Sequence, residues 1–363
     1  MKRCGRPRPG ACIVRARLDK IKVLIVDDSS FVRKALTRIF EAEQDIEIAG
    51  SASDGREAIE KVTTLNPDVV TLDIMMPGMD GIETLRHIME TKPTPVLMLS
   101  QLTHEGAELT LNALDLGAMD FVDKSSTALM DIFGLGREIA SKVRAIAGSK
   151  PLRVHPSLRP PASGGGRGII DVVAIGTSTG GPSALQMLLP KFPKEMGFGI
   201  LVVQHMPAGF TGPLAKRLDS LCDIHVKEAE EGDRVEPGVA LVAPSGFHMK
   251  IKKRRGSGDA PRPSCRIELD TEPADAVHRP SIDVLFHSVA VNYGSRAIGV
   301  IMTGMGSDGV NGLKEMKETG GFTIAQDEAT SAIFGMPRVA IANNAVDKVL
   351  PVTSIAEEVL QRA

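Results

Sequence analysis

Three short runs carry the residue types that nucleophilic catalysis needs. Ser178 stands in the run Gly176-Thr177-Ser178-Thr179-Gly180, His205 follows the apolar run 200–203, and Asp308 lies in TGMGSDG. A hydroxyl, an imidazole and a carboxylate can serve as nucleophile, general base and orienting group once a fold gathers them. Glycines two residues before and after Ser178 fit G-x-S-x-G, in which a strained strand-to-helix turn lifts a hydroxyl above a sheet edge. The same Gly-rich turn can equally cradle a phosphate on the helix N-terminus. The chain order Ser, His, Asp is not one of the familiar ones, but triads are recognised by role rather than order. Plain alternatives exist for each residue. His205 suits a packed histidine at a strand end, Asp308 a turn residue before glycine, and His278 is a rival base.

A second group is acidic. Asp27 and Asp28 follow one apolar run, Asp73 ends another, and Ser100 and Lys124 follow two more. A lone Asp in such a place reads first as a helix N-cap. Three carboxylates at one sheet edge repel unless a divalent cation sits among them, and hard oxygen ligands suit Mg²⁺. The lysine and hydroxyl can hold phosphoryl oxygens, and an Asp carboxylate can itself become an acyl-phosphate.

Both groups need a scaffold that brings strand ends together. Strand-like runs at 22–26, 46–49, 69–72, 95–99 and 121–122 alternate with helical patterns near 30–43, 55–65, 81–91 and 105–116. Five such repeats predict a flavodoxin-like, doubly wound parallel sheet whose ligands bind beyond the strand C-termini. A helical pattern over 126–147, carrying Leu129, Ile132 and Phe133, closes this part. Pro, Gly, Ser and Arg then dominate 148–168, a linker with a span of roughly 25 Å. Beyond it, strands at 171–175, 200–203 and 297–302 precede Ser178, His205 and Asp308. An amphipathic stretch covers 210–221, and a helix over 278–290 starts near Pro280. The runs 247–252 and 265–269 flank a basic tip, KRRGSGDAPRPS, and predict a β-hairpin. Segments 323–325 and 337–342 close the fold.

Composition narrows the function classes. With 363 residues the chain exceeds one typical core. No apolar run reaches membrane-spanning length, and residues 1–20 are basic without the apolar core of a signal peptide. Residues 1–20 carry a charge of +6, residues 21–147 carry −9 and the remainder +1. Neither large block offers the basic face that nucleic acid requires. Four scattered cysteines without a C-x-x-C pair suit a reducing cytoplasm.

In the first half, VDDSS, LDIMMPGMDG, MLS and FVDKS, in that order, resemble a response-regulator receiver domain. The resemblance implies Asp73 as phosphoacceptor, with Asp27, Asp28 and Asp73 as Mg²⁺ ligands. It also implies Ser100, Lys124 and Phe121 as the groups that sense the phosphate. Ser125 departs from the pattern, which usually has proline there. The second half carries AIGTSTGGP, VVQHM, APSGFHM, HRPSIDVLF and VIMTGMGSDG, and resembles the chemotaxis protein-glutamate methylesterase family, CheB. This implies a Ser178–His205–Asp308 triad with oxyanion support from Thr179 and Met305, and no cofactor for hydrolysis.

The domains expected are an arm (1–20), a receiver (21–147), a linker (148–168) and an α/β hydrolase-type catalytic domain (169–363). The resemblance also implies chemoreceptor cytoplasmic domains as substrate, a chemotaxis histidine kinase as phosphodonor and a cytoplasmic site. Arg279 suits either acidic groups flanking the substrate glutamate or an ordinary ion pair. Two other classes stay open: a phosphorylation-gated binding module without hydrolase activity, and a receiver-linked nucleotide-binding domain. Against the second, G-x-x-x-x-G-K-[ST] and a ribose-binding acid are both missing.

Overall fold

The computed structural model describes residues 20–101, 103–124, 132–149, 170–253 and 265–363. Most of the N-terminal arm, Ser125, Leu129, the linker from 150 onward and the hairpin tip lie outside the described residues.

The first half alternates β1 (Ile21–Val26), α1 (Ser30–Glu41), β2 (Ile46–Ala52), α2 (Gly55–Leu65), β3 (Val69–Asp73), α3 (Gly81–Thr91), β4 (Val96–Ser100), α4 (His104–Asp115), β5 (Asp120–Asp123) and α5 (Ile132–Ile146). The strands form one parallel sheet in the order β2-β1-β3-β4-β5. β3 and β4 are buried along their whole length, as a sheet with helices on both faces demands. The helices begin where short polar side chains take the orphan N–H groups of the first turn. Asp54 accepts from the Glu57 N–H at 3.0 Å, Asp80 from the Glu83 N–H at 2.7 Å and Thr103 from the Gly106 N–H at 2.9 Å.

The second half runs β6 (Val172–Thr177), α6 (Gly181–Leu188), β7 (Gly199–Gln204), α7 (Thr211–Leu221), β8 (His225–Glu228), β9 (Val239–Val242), β10 (His248–Lys253), β11 (Cys265–Asp270), α8 (Ile282–Tyr293), β12 (Ala297–Ile301), α9 (Val310–Glu318), β13 (Phe322–Gln326), α10 (Met336–Ala342), β14 (Lys348–Leu350) and α11 (Val352–Arg362). A seven-stranded parallel sheet has the order β14-β13-β12-β6-β7-β9-β8, and β10-β11 form a separate antiparallel ribbon. The ribbon is the expected hairpin. The helix expected from 278 starts at Ile282 instead, because Ser281 is its cap and accepts from the Val284 N–H at 3.4 Å. The β14–α11 unit extends the fold past 342, beyond the last segment the apolar pattern marks. β14 is a three-residue edge strand whose side chains are largely exposed, so it leaves little apolar signal.

The sheet order positions the site. β12, β6 and β7 are neighbours, so the residues after three adjacent strands meet at one edge. Between β12 and β6 the strand order departs from chain order, and such a switch point opens a crevice. Among the described residues, no helix is long and apolar enough to cross a membrane.

The two halves touch where α4 and β5 meet α6 and α7, and where α5 meets Met305, Ala332 and Ile333. Asp115 accepts from Gln186 Nε2 at 2.6 Å and pairs with Arg217. The rings of Phe121 and Phe210 pack with centroids 4.6 Å apart. Arg217→Glu would set two like charges face to face at Asp115. We expect a larger radius of gyration by small-angle scattering for Arg217→Glu, restored by adding Asp115→Arg. An unchanged radius in the single variant would show that this pair does not hold the halves together.

Candidate active site

β6 ends in a turn that only particular residues can make. Gly180 sits at φ +75°, and a Cβ there would lie 2.3 Å from the Ala332 Cβ. Both backbone and space therefore demand glycine. The turn is clamped from β7 by Gln204, fully paired inside the sheet. Its Oε1 accepts from the Thr177 hydroxyl, and its Nε2 donates to the Ser178 and His205 carbonyls at 2.9 and 2.8 Å. From β12's end the Thr303 hydroxyl donates to the Thr179 carbonyl at 2.9 Å, and the Ser178 N–H donates to the Thr303 carbonyl at 3.0 Å. Ser178 emerges half-buried above this frame.

His205 follows Gln204, which is paired in register with Thr177, so imidazole and hydroxyl project from adjacent strand ends. Its Nε2 lies 2.7 Å from Asp308 Oδ2. Asp308 accepts three further bonds: from Ser281 Oγ at 2.8 Å, the Ile282 N–H at 2.8 Å and the Asp283 N–H at 3.1 Å. Burial alone would raise its pKa, but the His205 bond and the backbone donors outweigh it and hold the group at about 2. An ionised carboxylate can only accept, so Nε2 carries the ring hydrogen and the neutral imidazole's lone pair sits on Nδ1. That nitrogen is buried and has no protein partner. Chymotrypsin-type triads use the two nitrogens the other way round.

His278 stacks on His205 with centroids 4.0 Å apart. Burial, then the neighbouring His205, lower its pKa to about 4, so it stays neutral at physiological pH. Asp308 grips His205 and not His278, which therefore lies beside the pair rather than in it. Arg279 Nη2 donates to its own loop, to the Ala274 carbonyl at 3.2 Å. Among the described residues it has no carboxylate partner, so the ordinary ion pair, one of its two expected roles, is not formed there.

At the other sheet edge, Asp27, Asp28 and Asp73 place ligand oxygens within 4.8 Å of one another. Asp27 and Asp73 are buried and Asp28 is exposed. Lys124 Nζ reaches Asp73 at 2.6 Å and Asp27 at 3.1 Å. Burial raises the Asp73 pKa despite that lysine, and Asp27 adds to the rise. One ammonium does not balance three acids, so this oxygen cage fits a divalent cation. Ser100 is fully buried and accepts from Thr110 Oγ1 at 2.8 Å, and Phe121 is buried against Phe210.

Family models cover both halves of the chain. Residues 173–359 match the CheB methylesterase model, and residues 23–131 match the response regulator receiver domain. A relative from Oleidesulfovibrio alaskensis, named protein-glutamate methylesterase/protein-glutamine glutaminase 1, is 42% identical over 94% of this chain and 98% of its own length. One from Geobacillus kaustophilus is 45% identical over 94% of this chain and 98% of its own.

The chain belongs to the CheB methylesterase family.

The crystal structure of the Thermotoga maritima CheB methylesterase catalytic domain superposes with a TM-score of 0.51 at 41% identity, covering 53% of this chain and 99% of that one. The catalytic half thus has the CheB fold, with a receiver fold ahead of it.

Sequence reasoning missed Gln204, Thr303 and Ser281, which frame the site, and Asp120, whose Oδ2 accepts from Thr179 Oγ1 at 2.5 Å across the two halves. Gln204 had a local signal, a polar residue ending the buried run before His205; the others act through long-range contacts.

The depressed Asp308 pKa sets a pH dependence. Its ionised form contributes about 2 kcal/mol, present in full above the ordinary value near 3.8 and lost as pH falls through about 2. Asp308→Asn should therefore lower the unfolding free energy at pH 7, with the gap to wild type narrowing below pH 4 in denaturant titrations. A gap independent of pH would contradict the assigned charge state.

Proposed function

We propose that the chain is a phosphorylation-controlled hydrolase that demethylates glutamate γ-methyl esters on chemoreceptors, releasing methanol, and deamidates receptor glutamines. The observation that carries this reading is the His205–Asp308 pair at the β12-β6-β7 edge beside Ser178. Ser178 Oγ attacks the ester carbonyl carbon, and its proton passes to His205 Nδ1. The Thr179 and Met305 N–H groups suit the developing oxyanion, since among the described residues they donate to no protein acceptor. Losing one such donor typically lowers the rate about 100- to 1000-fold. The imidazolium then protonates the departing methoxide, or the amide nitrogen for glutamine, and the acyl-enzyme forms. Water, deprotonated by the same Nδ1, attacks that ester and returns Ser178 with a glutamate carboxylate.

Asp73 is the phosphoacceptor in this reading, and Asp27, Asp28 and Asp73 hold Mg²⁺. When bound, Mg²⁺ supplies countercharge for phosphoryl transfer. Lys124 and Ser100 sense the phosphoryl group, and a histidine kinase of the chemotaxis pathway supplies it in the cytoplasm. Without it the receiver half covers the hydrolase edge. The Thr179 hydroxyl donates to Asp120, Phe121 packs on Phe210, and Ser141 Oγ lies 3.5 Å from Met305 Sδ. Repacking of Ser100 and Phe121 would shift the population toward an open form.

Methanol release from methyl-esterified receptor membranes tests the reading. Wild type should release methanol faster with a small phosphodonor, and Ser178→Ala should release none. EDTA or Asp73→Asn should remove only the stimulation. Release that survives Ser178→Ala would place the nucleophile elsewhere, and stimulation that survives both EDTA and Asp73→Asn would end the receiver's assigned role.

A further inference from the structure

A cleft of about 570 Å³ opens between α5 and the hydrolase half. Its hydrolase wall starts at Met305, Gly306 and Ser307, the run that leads into Asp308, and continues past Phe334 to Arg338 on α10. Ser141 and Arg144 stand on the opposite wall. The two arginines differ in kind. Arg144 is held by Asp45 at 2.7 Å and by Glu43. Arg338 is exposed and has no acidic partner among the described residues.

That sets Arg338 apart among the described arginines of its own half. Arg217, Arg234, Arg296 and Arg362 each face a carboxylate, and Arg266 and Arg279 donate to backbone carbonyls. Beside Arg338 the wall is apolar: Met305 is 38% exposed and Phe334 is partly exposed. An apolar strip ending in a cation with no acidic partner among the described residues complements a segment with an apolar face and a nearby carboxylate. A protein whose glutamates are the reacting groups carries such carboxylates wherever an ester or amide has already been hydrolysed.

We infer that Arg338 is a specificity-determining residue. Its guanidinium pairs with a carboxylate on the substrate protein, near the reacting glutamyl group, while that segment lies over Met305 and Phe334. The inference rests on the proposed hydrolase reading. It places Arg338 away from the reacting atoms, so its effect falls on binding. α5 forms the facing wall of the same cleft, so the pair forms once α5 has withdrawn.

The test uses full-length Arg338→Ala, Arg338→Glu and Arg338→Lys with a phosphodonor, and follows methanol release against receptor-membrane concentration. KM should rise about 5- to 10-fold for Arg338→Ala and further for Arg338→Glu, and Arg338→Lys should restore most of it, with kcat held throughout. Added salt should raise the wild-type KM more steeply than that of Arg338→Ala. A KM for Arg338→Ala equal to wild type, or a loss confined to kcat, overturns the inference and leaves the hydrolase reading standing. Absence of methanol release from wild type would instead overturn the hydrolase reading on which it rests.

Discussion

The ionised carboxylate of Asp308 organises the catalytic half. A buried charge with no partners is costly, and this one is tolerated because four donors converge on it. Two are backbone N–H groups of the first turn of α8, where the helix end leaves donors unsatisfied. Ser281 caps the same helix through its side chain while donating to Asp308. The helix terminus and the Asp308 carboxylate therefore satisfy each other. The fourth donor is His205, so the force that orients the imidazole is the one that anchors α8 to the β12 loop.

The same logic, with the opposite outcome, applies to the first half. There too carboxylates gather beyond parallel strands, but among the described residues no helix end turns its N–H groups fully upon them. Asp27 takes one N–H, from Ser29 at 2.9 Å, and Asp73 takes a long one, from Met75 at 3.3 Å. Lys124 is shared between the two. Burial consequently wins at Asp73 and raises its pKa, whereas at Asp308 the donors win and lower it. Asp308 has its charge met by protein donors. Asp27, Asp28 and Asp73 share one lysine between three acids, which leaves room for a divalent cation.

Much of this was legible in the residues. Parallel strands buried on both faces read as apolar runs, and chemistry sits just beyond their ends, so Ser178, His205, Asp308, Asp27, Asp73, Ser100 and Lys124 could all be marked from position alone. Position and residue type alone do not decide between His205 and His278; only the family resemblance favoured His205. Both lie beside polar residues in the sequence, and only the fold shows Asp308 against His205 with His278 stacked on its ring. Nor could the sequence reveal which imidazole nitrogen is free, because that follows from the direction of Asp308's approach. Thr303 was hidden for another reason: its hydroxyl bonds a backbone carbonyl, which any residue possesses. β14 escaped because a short, exposed edge strand has no apolar period.

The contact between the halves explains how control could act without disturbing the chemistry. Asp120 precedes Phe121, and Thr179 follows Ser178, so the bond joining them ends one residue from Phe121 on one side and from Ser178 on the other. Asp120 is also held at home, by Lys142 Nζ at 3.2 Å and by the Phe121 N–H at 2.8 Å. A rearrangement at Phe121 would move its neighbour's carboxylate away from Thr179 and leave that carboxylate still paired. His205, Asp308 and the α8 terminus share none of these atoms. In the proposed reading, breaking the inter-half contact would change access to Ser178 while the imidazole kept its orientation, which is the separation a switch needs if the open form is to be active at once.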